Sequence, residues 1–293
     1  ISFFAGGITL ETAIKENVSL RRNIITDMYN DSAFGHSAGT YMDTMSGLLL
    51  EENFFDHCGW NETVANGERN IFNRNIYLHY NCIGTYTKGN ISARSAAEGA
   101  QFRSGGKVID NLFFRCSAGM NVGHEEGYPT ISMARVTDNG IAESDDIDFA
   151  LAPRGVGINV LNATGPSILI TRNIVATTAG GSTTNAYFLN LNSNVVNVTV
   201  SGNIAFNWPK DTVDTGSGNT KSNQVDLNGD NTEYSFPAPT RTVGSYAGSI
   251  GLTATYDAFL TACRARARGT WDATLTANAV NNYIRTGFGV ATI

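Results

Sequence analysis

Four side chains capable of acid–base chemistry lie in short segments where apolar and polar residues alternate. They are Glu51, Tyr77, His79 and Arg103. An arginine can neutralise a carboxylate or an enolate-like charge, and a histidine or tyrosine can remove or donate a proton. A carboxylate can orient a histidine and favour its charged form. As one cluster, these groups would suit β-elimination from a polysaccharide that contains uronic acids.

The same residues have a second interpretation. Charged side chains on the outer face of a sheet often form a ladder of surface ion pairs, which contributes little to stability. Both interpretations require that the four residues are neighbours in space. Whether they are depends on the strands that carry them and on how those strands stack.

A recurring phrase along the chain predicts the stacking. It has a polar residue, then Asn, then two or three β-forming residues, as in RNIIT, ENFFD, RNIYL, GNISA, DNLFF, RNIVA and GNIAF. The copies are mostly about 15 to 35 residues apart, which is typical of a β-solenoid whose corners carry loops of variable length. Asn tolerates the left-handed backbone of a tight corner, and stacked Asn side chains can bond to one another.

We therefore predict an all-β chain, folded as a right-handed parallel β-helix over 1–206. An irregular segment over 207–250 would pack on this solenoid, and 251–293 would form a C-terminal helical cap. A β-sandwich is the alternative, but Asn-Gly and Asp-Gly turns do not recur at hairpin spacing. Two short helices are indicated by the apolar positions Tyr256, Phe259, Leu260 and Cys263, and Leu275, Val280 and Ile284. We expect them to cover the exposed last coil, although they could also bind a partner.

Aligning successive coils predicts which side chains are neighbours. Residues 47–51, 75–79, 99–103 and 119–123 align so that the second and fourth positions are apolar in every segment. Those positions would face the core, and the third and fifth would face outward. Rungs of a parallel sheet lie about 4.8 Å apart. The alignment thus stacks Glu51, His79 and Arg103 beside a second column that contains Tyr77, Gln101 and Asn121, so Gln101 and Asn121 become candidate substrate contacts.

Nearby loops supply further candidates for substrate binding. Asp56, His57 and Trp60 follow the Glu51 strand, and Tyr80 follows His79. Trp60 could stack on a sugar ring or lie buried under its loop. His124 and two following glutamates lie in a loop that flanks the same face and could hold a cation such as Ca²⁺, although their spacing matches no recognisable ligand pattern. No metal ligand or cofactor is predicted with certainty.

Composition restricts the class of protein further. The 293 residues are 16% charged, with a formal net charge of −6 and about as many Asn as the 31 Gly. An acidic chain argues against nucleic-acid binding, and no apolar stretch is long enough to span a membrane. Four cysteines (Cys58, Cys82, Cys116 and Cys263) form no C-x-x-C pair, so we expect small buried thiols, with disulfides as the alternative. The chain starts at Ile1 without Met or a signal peptide, which suggests a processed piece.

Residues 87–123 (TKGNISARSAAEGAQFRSGGKVIDNLFFRCSAGMNVG) resemble bacterial secreted parallel β-helix proteins. Within them, GAQFRSGGKVIDNLFFR is similar to a coil of the alginate lyase and chondroitinase B family. The resemblance implies that Arg103 assists catalysis. It also places His79 where that family has a catalytic Lys one coil earlier. The tail YDAFLTACRARARGTWDATLTANAVNNYIRTGFG resembles the ends of β-helix repeat proteins from bacteria and their phages.

These observations favour an extracellular or periplasmic lyase that acts on an acidic polysaccharide. Arg103 would neutralise the carboxylate, His79 or Tyr77 would transfer the proton, and Glu51 and Gln101 would support them. A glycoside hydrolase that uses Asp56, Glu51 or Glu52 as paired acids is the enzyme alternative. The non-enzymatic alternative is a glycan-binding adhesin or phage tailspike on a virion tail. The chain would be a monomer or, if tailspike-like, a homotrimer.

Overall fold

The structure is a computed structural model that describes residues 2–4, 7–10, 14–32, 35–143, 155–176, 187–208, 210, 212–223, 225–227 and 236–293. Within them, short strands wind into eight successive coils of a right-handed parallel β-helix. The predicted fold class is therefore confirmed. The described helices are all C-terminal to the last coil and are too short and polar to cross a membrane.

The strands are numbered along the chain and grouped here by coil. β1 (Ser2–Phe4) precedes the first coil, which contains β2 (Gly7–Leu10), β3 (Lys15–Glu16), β4 (Ser19–Arg21) and β5 (Ile24–Thr26). The second and third coils contain β6 (Ala38–Met42), β7 (Met45–Ser46), β8 (Leu49–Glu51) and β9 (Phe54–Asp56), then β10 (Arg74–Leu78), β11 (Tyr86–Lys88) and β12 (Ile91–Ala93). The fourth and fifth contain β13 (Glu98–Phe102), β14 (Gly106–Ile109) and β15 (Leu112–Phe114), then β16 (Ala118–Gly123), β17 (Ala134–Thr137) and β18 (Gly140–Ala142).

The remaining coils continue the same pattern. The sixth contains β19 (Ile158–Leu161), β20 (Ala163–Thr164), β21 (Ile168–Thr171) and β22 (Ile174–Ala176). The seventh contains β23 (Leu189–Leu191), β24 (Val195–Val196), β25 (Thr199–Ser201) and β26 (Ile204–Phe206), and the eighth β27 (Val213–Asp214), β28 (Thr220–Ser222) and β29 (Val225–Leu227).

Each coil supplies one strand to each of three parallel sheets. The first sheet contains β2, β6, β10, β13, β16, β19, β23 and β27, with β1 antiparallel at its edge. The second sheet runs from β4 to β28 and the third from β5 to β29. The eighth coil lies inside 207–250, where we expected an irregular segment. Its strand β28 pairs with β25 although all three β28 residues are exposed, so backbone hydrogen bonds hold this strand without burial of its side chains.

The corners between the second and third sheets explain six of the seven copies of the recurring phrase, and the seventh, RNIYL, is strand β10 of the first sheet. The left-handed residue is the one before the Asn, as at Glu52 (φ 54°) and Asp138 (φ 62°), and not the Asn as expected. The Asn side chains are instead directed inward and bond along the stack, which confirms the predicted ladder. Its buried side-chain hydrogen bonds, 2.8 to 3.0 Å long, join Asn53, Asn90, Asn111, Asn139, Asn173 and Asn203 in that order.

Three helices and two 3₁₀ turns complete the chain. They are α1 (Val243–Ser249), α2 (Tyr256–Arg264) and α3 (Ala277–Gly287), with turns at Arg268–Thr270 and Ala273–Leu275. The α2 prediction is confirmed. The second predicted helix begins later than expected, because Leu275 belongs to the 3₁₀ turn before the Thr276 N-cap of α3.

Among the residues that the structure describes, the helical segment covers the outer face of the third sheet from the second to the seventh coil, whereas we expected it to cover the exposed last coil. A single apolar cluster joins Phe54, Ile91, Leu112, Ile174 and Ile204 of that sheet to Phe259, Leu260, Val280 and Ile284 of the helices. Third-sheet strands are apolar on both faces, as in Leu112–Phe114, so their outer face must be covered. The inner faces of the coils form the main core, which also holds Cys58 and Cys82. All four cysteines are buried and free, as expected.

Candidate functional site

The predicted register of the first sheet is correct over three coils. Tyr77 in β10 pairs with Gln101 in β13, which pairs with Asn121 in β16. The flanking residues Ile76, Ala100 and Met120 are buried in the core. The same column includes Tyr41 in β6, one coil before Tyr77, and Thr9 in β2, one coil before Tyr41.

His79 and Arg103 are brought together as predicted, but Glu51 is not. Arg103 follows Phe102, which pairs with Leu78, and its backbone N–H donates to the Leu78 carbonyl (3.0 Å). Glu51 ends β8 of the second sheet, where it pairs in register with Lys88 and its carboxylate lies 2.5 Å from Nε of Arg21. The predicted alignment is wrong here because residues 47–51 lie one corner later in their coil than residues 75–79.

The carboxylate beside His79 is Asp43, a residue that the sequence interpretation missed. Asp43 follows β6 as His79 follows β10, and Oδ1 of Asp43 lies 3.1 Å from Nδ1 of His79. Both side chains are only partly exposed. A signal was available, because the triplet at 41–43 (Tyr-Met-Asp) matches the triplet at 77–79 (Tyr-Leu-His).

Electrostatics keep His79 neutral near pH 7. Burial is the main cause that lowers the pKa of His79, and the Arg103 charge lowers it further, while Asp43 raises it in opposition. A neutral imidazole that donates its Nδ1–H to Asp43 has a free electron pair on Nε2. This is the arrangement of a positioned general base.

Tyr77 lies between two guanidinium groups. The Cζ atoms of Arg103 and Arg74 lie 4.7 Å and 4.8 Å from the centre of its ring. Burial raises the pKa of Tyr77, and the two arginine charges oppose that rise. Tyr77 is thus a protonated phenol at neutral pH, able to donate a proton or a hydrogen bond. Burial lowers the pKa of Arg103 from its high ordinary value, and nearby Arg74 contributes.

Aromatic rings form one side of this cluster. The ring of Tyr80 lies 4.1 Å from that of His79 and 5.7 Å from that of Tyr128. His124 stacks on Tyr128 at 3.5 Å. Burial is the main cause that lowers the pKa of His124, to about 4. Flat rings beside polar groups are suited to contact sugar rings.

A metal role for His124 finds no support in its contacts. Its Nδ1 accepts a hydrogen bond from the backbone N–H of Glu125 (2.8 Å), so one of its two possible ligand atoms is already occupied. Over the part of the chain that the structure describes, no group of three or more His, Cys, Asp or Glu residues could hold a metal ion.

The column continues beyond Asn121 as a hydrogen-bonded ladder of amides. Nδ2 of Asn190 donates to Oδ1 of Asn159 (2.8 Å), and Nδ2 of Asn159 donates to Oδ1 of Asn121 (3.0 Å). Asn121 in turn donates to Oε1 of Glu98 (2.8 Å). The buried Glu98 carboxylate also accepts from Nε of Arg74 (3.2 Å). The ladder therefore ends at an ion pair that lies beside Tyr77.

Asp56, His57 and Trp60 belong to a different region. Asp56 ends β9 in the third sheet, and its fully buried carboxylate is held by Arg94 and by Arg264 of α2. Nδ1 of His57 lies 3.0 Å from Asp27, and Nε1 of Trp60 donates to the Arg94 carbonyl. The prediction that they extend the His79 site is wrong, because the corner after β9 turns them toward the helices.

Comparisons of the chain with protein-family models, with curated proteins and with solved structures find no match. The resemblance of the coil at 99–115 to the alginate lyase and chondroitinase B family therefore stays a prediction. What the molecule itself provides is the geometry of the cluster that consists of Asp43, Tyr77, His79, Tyr80 and Arg103. We call it the His79 cluster.

Proposed function

We propose that the protein is a polysaccharide lyase that cleaves an acidic, uronate-containing polysaccharide by β-elimination at the His79 cluster. The observation that carries the proposal is the Asp43–His79 pair, 3.1 Å apart, next to Arg103. A neutral, oriented imidazole beside a cation is what proton abstraction next to a carboxylate requires. Such polymers occur outside cells, so the proposal implies an extracellular or periplasmic enzyme, or one carried on a virion tail.

Each group of the cluster has a role in the proposed reaction. Arg103 binds the uronate carboxylate and stabilises the enolate-like charge that develops on it. Nε2 of His79 removes the proton from the carbon next to the carboxylate. The electron pair left behind forms a carbon–carbon double bond as the bond to the neighbouring sugar's oxygen breaks. The Tyr77 hydroxyl donates a proton to that departing oxygen, and Tyr80 contacts the sugar ring.

The contacts of the other carboxylates favour a lyase over a hydrolase. The acids considered for hydrolysis were Glu51, Glu52 and Asp56. Nε of Arg21 lies 2.5 Å from Glu51, and Nε of Arg22 lies 2.6 Å from Glu52. Asp56 is fully buried between Arg94 and Arg264. These three carboxylates are paired with arginines and lie outside the first sheet. They are therefore not placed as the two acids that would flank a glycosidic bond in a hydrolase.

The test is incubation with a panel of acidic polysaccharides while the ultraviolet absorbance of the unsaturated product is recorded. We expect the wild-type protein to generate this signal, and His79→Ala and Arg103→Ala each to reduce the rate at least 100-fold, an effect typical of losing a general base or a charge-stabilising group. New reducing ends without the absorbance would show that the protein is a hydrolase and not a lyase. Binding without either product would show that it is a glycan-binding protein.

Glu51→Gln is the matched control. Glu51 was expected in the same column as His79, but it lies in the second sheet. Its substitution should leave the cleavage rate within about twofold of wild type. A loss as large as that of His79→Ala would contradict the site proposed here.

A further inference from the structure

The amide ladder of the first sheet lies in line with the His79 cluster but has a different chemistry. It consists of Asn121, Asn159 and Asn190, in register on three successive coils. The rungs of a parallel sheet are about 4.8 Å apart. Side chains of this column therefore form a straight row along the solenoid axis, and the row begins next to Arg103 and Tyr77.

Hydrogen bonds hold these amides in one orientation. Each Nδ2 donates toward the Glu98 end of the ladder, where the carboxylate is fixed by Arg74. Glu98 accepts only, so the direction of every bond is set from that end. Each NH₂ group has two N–H bonds and uses one of them in the ladder. The second N–H is thus oriented in advance at each rung, which lowers the entropy cost of binding a ligand there.

Gln101 provides an independent indication that this row is incomplete by itself. It precedes Asn121 in the column and is only 6% exposed. Its Oε1 is buried and has no hydrogen-bond partner within the described ranges of the chain. A buried acceptor without a partner is costly, and a hydroxyl donor would satisfy it. The row therefore offers one buried acceptor, at Gln101, and N–H donors at the three asparagines. A sugar hydroxyl can bind to either kind of group because it both donates and accepts hydrogen bonds.

The ladder carries no charge of its own beyond Glu98. Asn159 and Asn190 are half-buried amides, whereas the guanidinium groups of Arg74 and Arg103 lie beside Tyr77. Arg103 would give a carboxylate a charged partner, whereas the side chains of Asn159 and Asn190 would give it only neutral amide donors. Amides in such positions select uncharged hydroxyl or acetamido groups.

We infer that Asn121, Asn159 and Asn190 bind neutral sugar units of the substrate, which would be a mixed polymer of uronate and neutral sugars extended along the solenoid axis. This inference rests on the proposed function for the position of the acidic unit at Arg103. It names the substrate class more narrowly than that function does. A polymer made only of uronates would place carboxylates over the neutral amides of the ladder, which do not supply the charged partner that Arg103 supplies.

Calorimetric binding of defined oligosaccharides tests the inference. The probes are a pure uronate hexasaccharide and hexasaccharides that alternate uronate with a neutral sugar. We expect the wild type to bind an alternating oligomer at least tenfold more tightly than the pure uronate. Asn159→Ala and Asn190→Ala should each weaken the alternating oligomer about 3- to 10-fold, the cost of one or two neutral hydrogen bonds, and leave the pure uronate unchanged.

Thr199→Ala, in β25 of the second sheet, is the control and should bind like wild type. Equal affinity of both asparagine variants and wild type, or tighter wild-type binding of the pure uronate, would overturn the inference. Circular dichroism of each variant separates a binding defect from unfolding. Selective binding of the alternating oligomer without cleavage would refute the proposed lyase activity but support the role of the amide ladder. Cleavage of pure uronates alone would support the lyase activity and refute the role of the amide ladder.

Discussion

Nε of Arg264 in helix α2 lies 2.5 Å from Oδ2 of Asp56 at the end of β9, across 208 residues of sequence. The same arginine also bonds to Asp27 through both terminal nitrogens. One side chain thus joins the helical segment to the corners of the first two coils. The Asp56 carboxylate is fully buried, and Arg264 and Arg94 are the ion-pair partners that compensate for its removal from water.

We expect Asp56→Ala to lower the free energy of unfolding by about 3 kcal/mol or more, since it leaves two partly buried guanidinium groups without their shared carboxylate. Urea denaturation followed by circular dichroism measures this. Arg21→Ala breaks an ion pair whose arginine side chain is 55% exposed, and it should cost less than about 1 kcal/mol. Similar losses for both variants would show that the Asp56 network is not an anchor.

The pKa of His79 should respond in opposite directions to its two charged neighbours. Asp43→Asn removes a charge that favours the imidazolium, so the pKa should fall further below 6.5. Arg103→Gln removes a charge that disfavours it, so the pKa should rise. Titration of the His79 ring protons by NMR measures both shifts without any substrate. A rise in Asp43→Asn would contradict the arrangement described here.

The same shifts should be visible in the pH dependence of cleavage. The base works only when His79 is neutral, so activity should fall as the pH drops through the His79 pKa, which lies below 6.5. Replacing Asp43 by Asn should move this acidic limb to lower pH and also reduce the rate, because the ring loses its orienting partner. An acidic limb above pH 7 in the wild type would exclude His79 as the base.

In the asparagine ladder at the corners between the second and third sheets, substitution of a central residue should destabilise the fold more than substitution at the end where Asn23 donates to Asn53. Asn111 is fully buried, donates to Asn139 and to the Thr87 carbonyl, and accepts from Asn90. We expect Asn111→Ala to lower the free energy of unfolding by about 3 kcal/mol, because several buried groups lose partners together. Asn23→Ala, at the half-buried end of the ladder, should cost distinctly less. Equal losses would mean that the ladder does not act as a connected network.

The four thiols should be inert in the folded protein. Burial raises the pKa of Cys58, Cys116 and Cys263 to about 12 and that of Cys82 to about 11. The thiolate is the reactive form, so a thiol reagent at pH 8 should label none of them before unfolding and all four after it. Mass spectrometry of labelled samples counts them. Rapid labelling of native protein would show that the coils open readily.

The sequence was sufficient for the coils because each corner repeats one local requirement. A polar residue, then Asn, then β-forming residues marks a corner in the sequence, even though the left-handed residue is the one before the Asn and not the Asn as expected. The register of Tyr77, Gln101 and Asn121 followed from the apolar positions beside them, which alternate in the same way on each coil. Local pattern therefore indicated both the architecture and four of the five residues of the His79 cluster, all except Asp43.

The errors arose where two segments of one coil look alike. Residues 47–51 have the same apolar alternation as 75–79, so alternation alone could not tell the second sheet from the first. Asp43 was missed for that reason. The position of the helices is a related case: an amphipathic pattern shows that one face is buried but not what buries it. The double-sided apolar strands of the third sheet, such as Leu112–Phe114, carried that information.

The helical segment that covers the third sheet is the last part of the described chain to be synthesised. Its residues are translated after every coil that they shield, from Phe54 in the second coil to Ile204 in the seventh. A nascent chain on the ribosome thus displays a long apolar strip along completed coils, and such surfaces associate readily. We therefore expect newly made molecules to associate more readily than mature ones until α3 has docked.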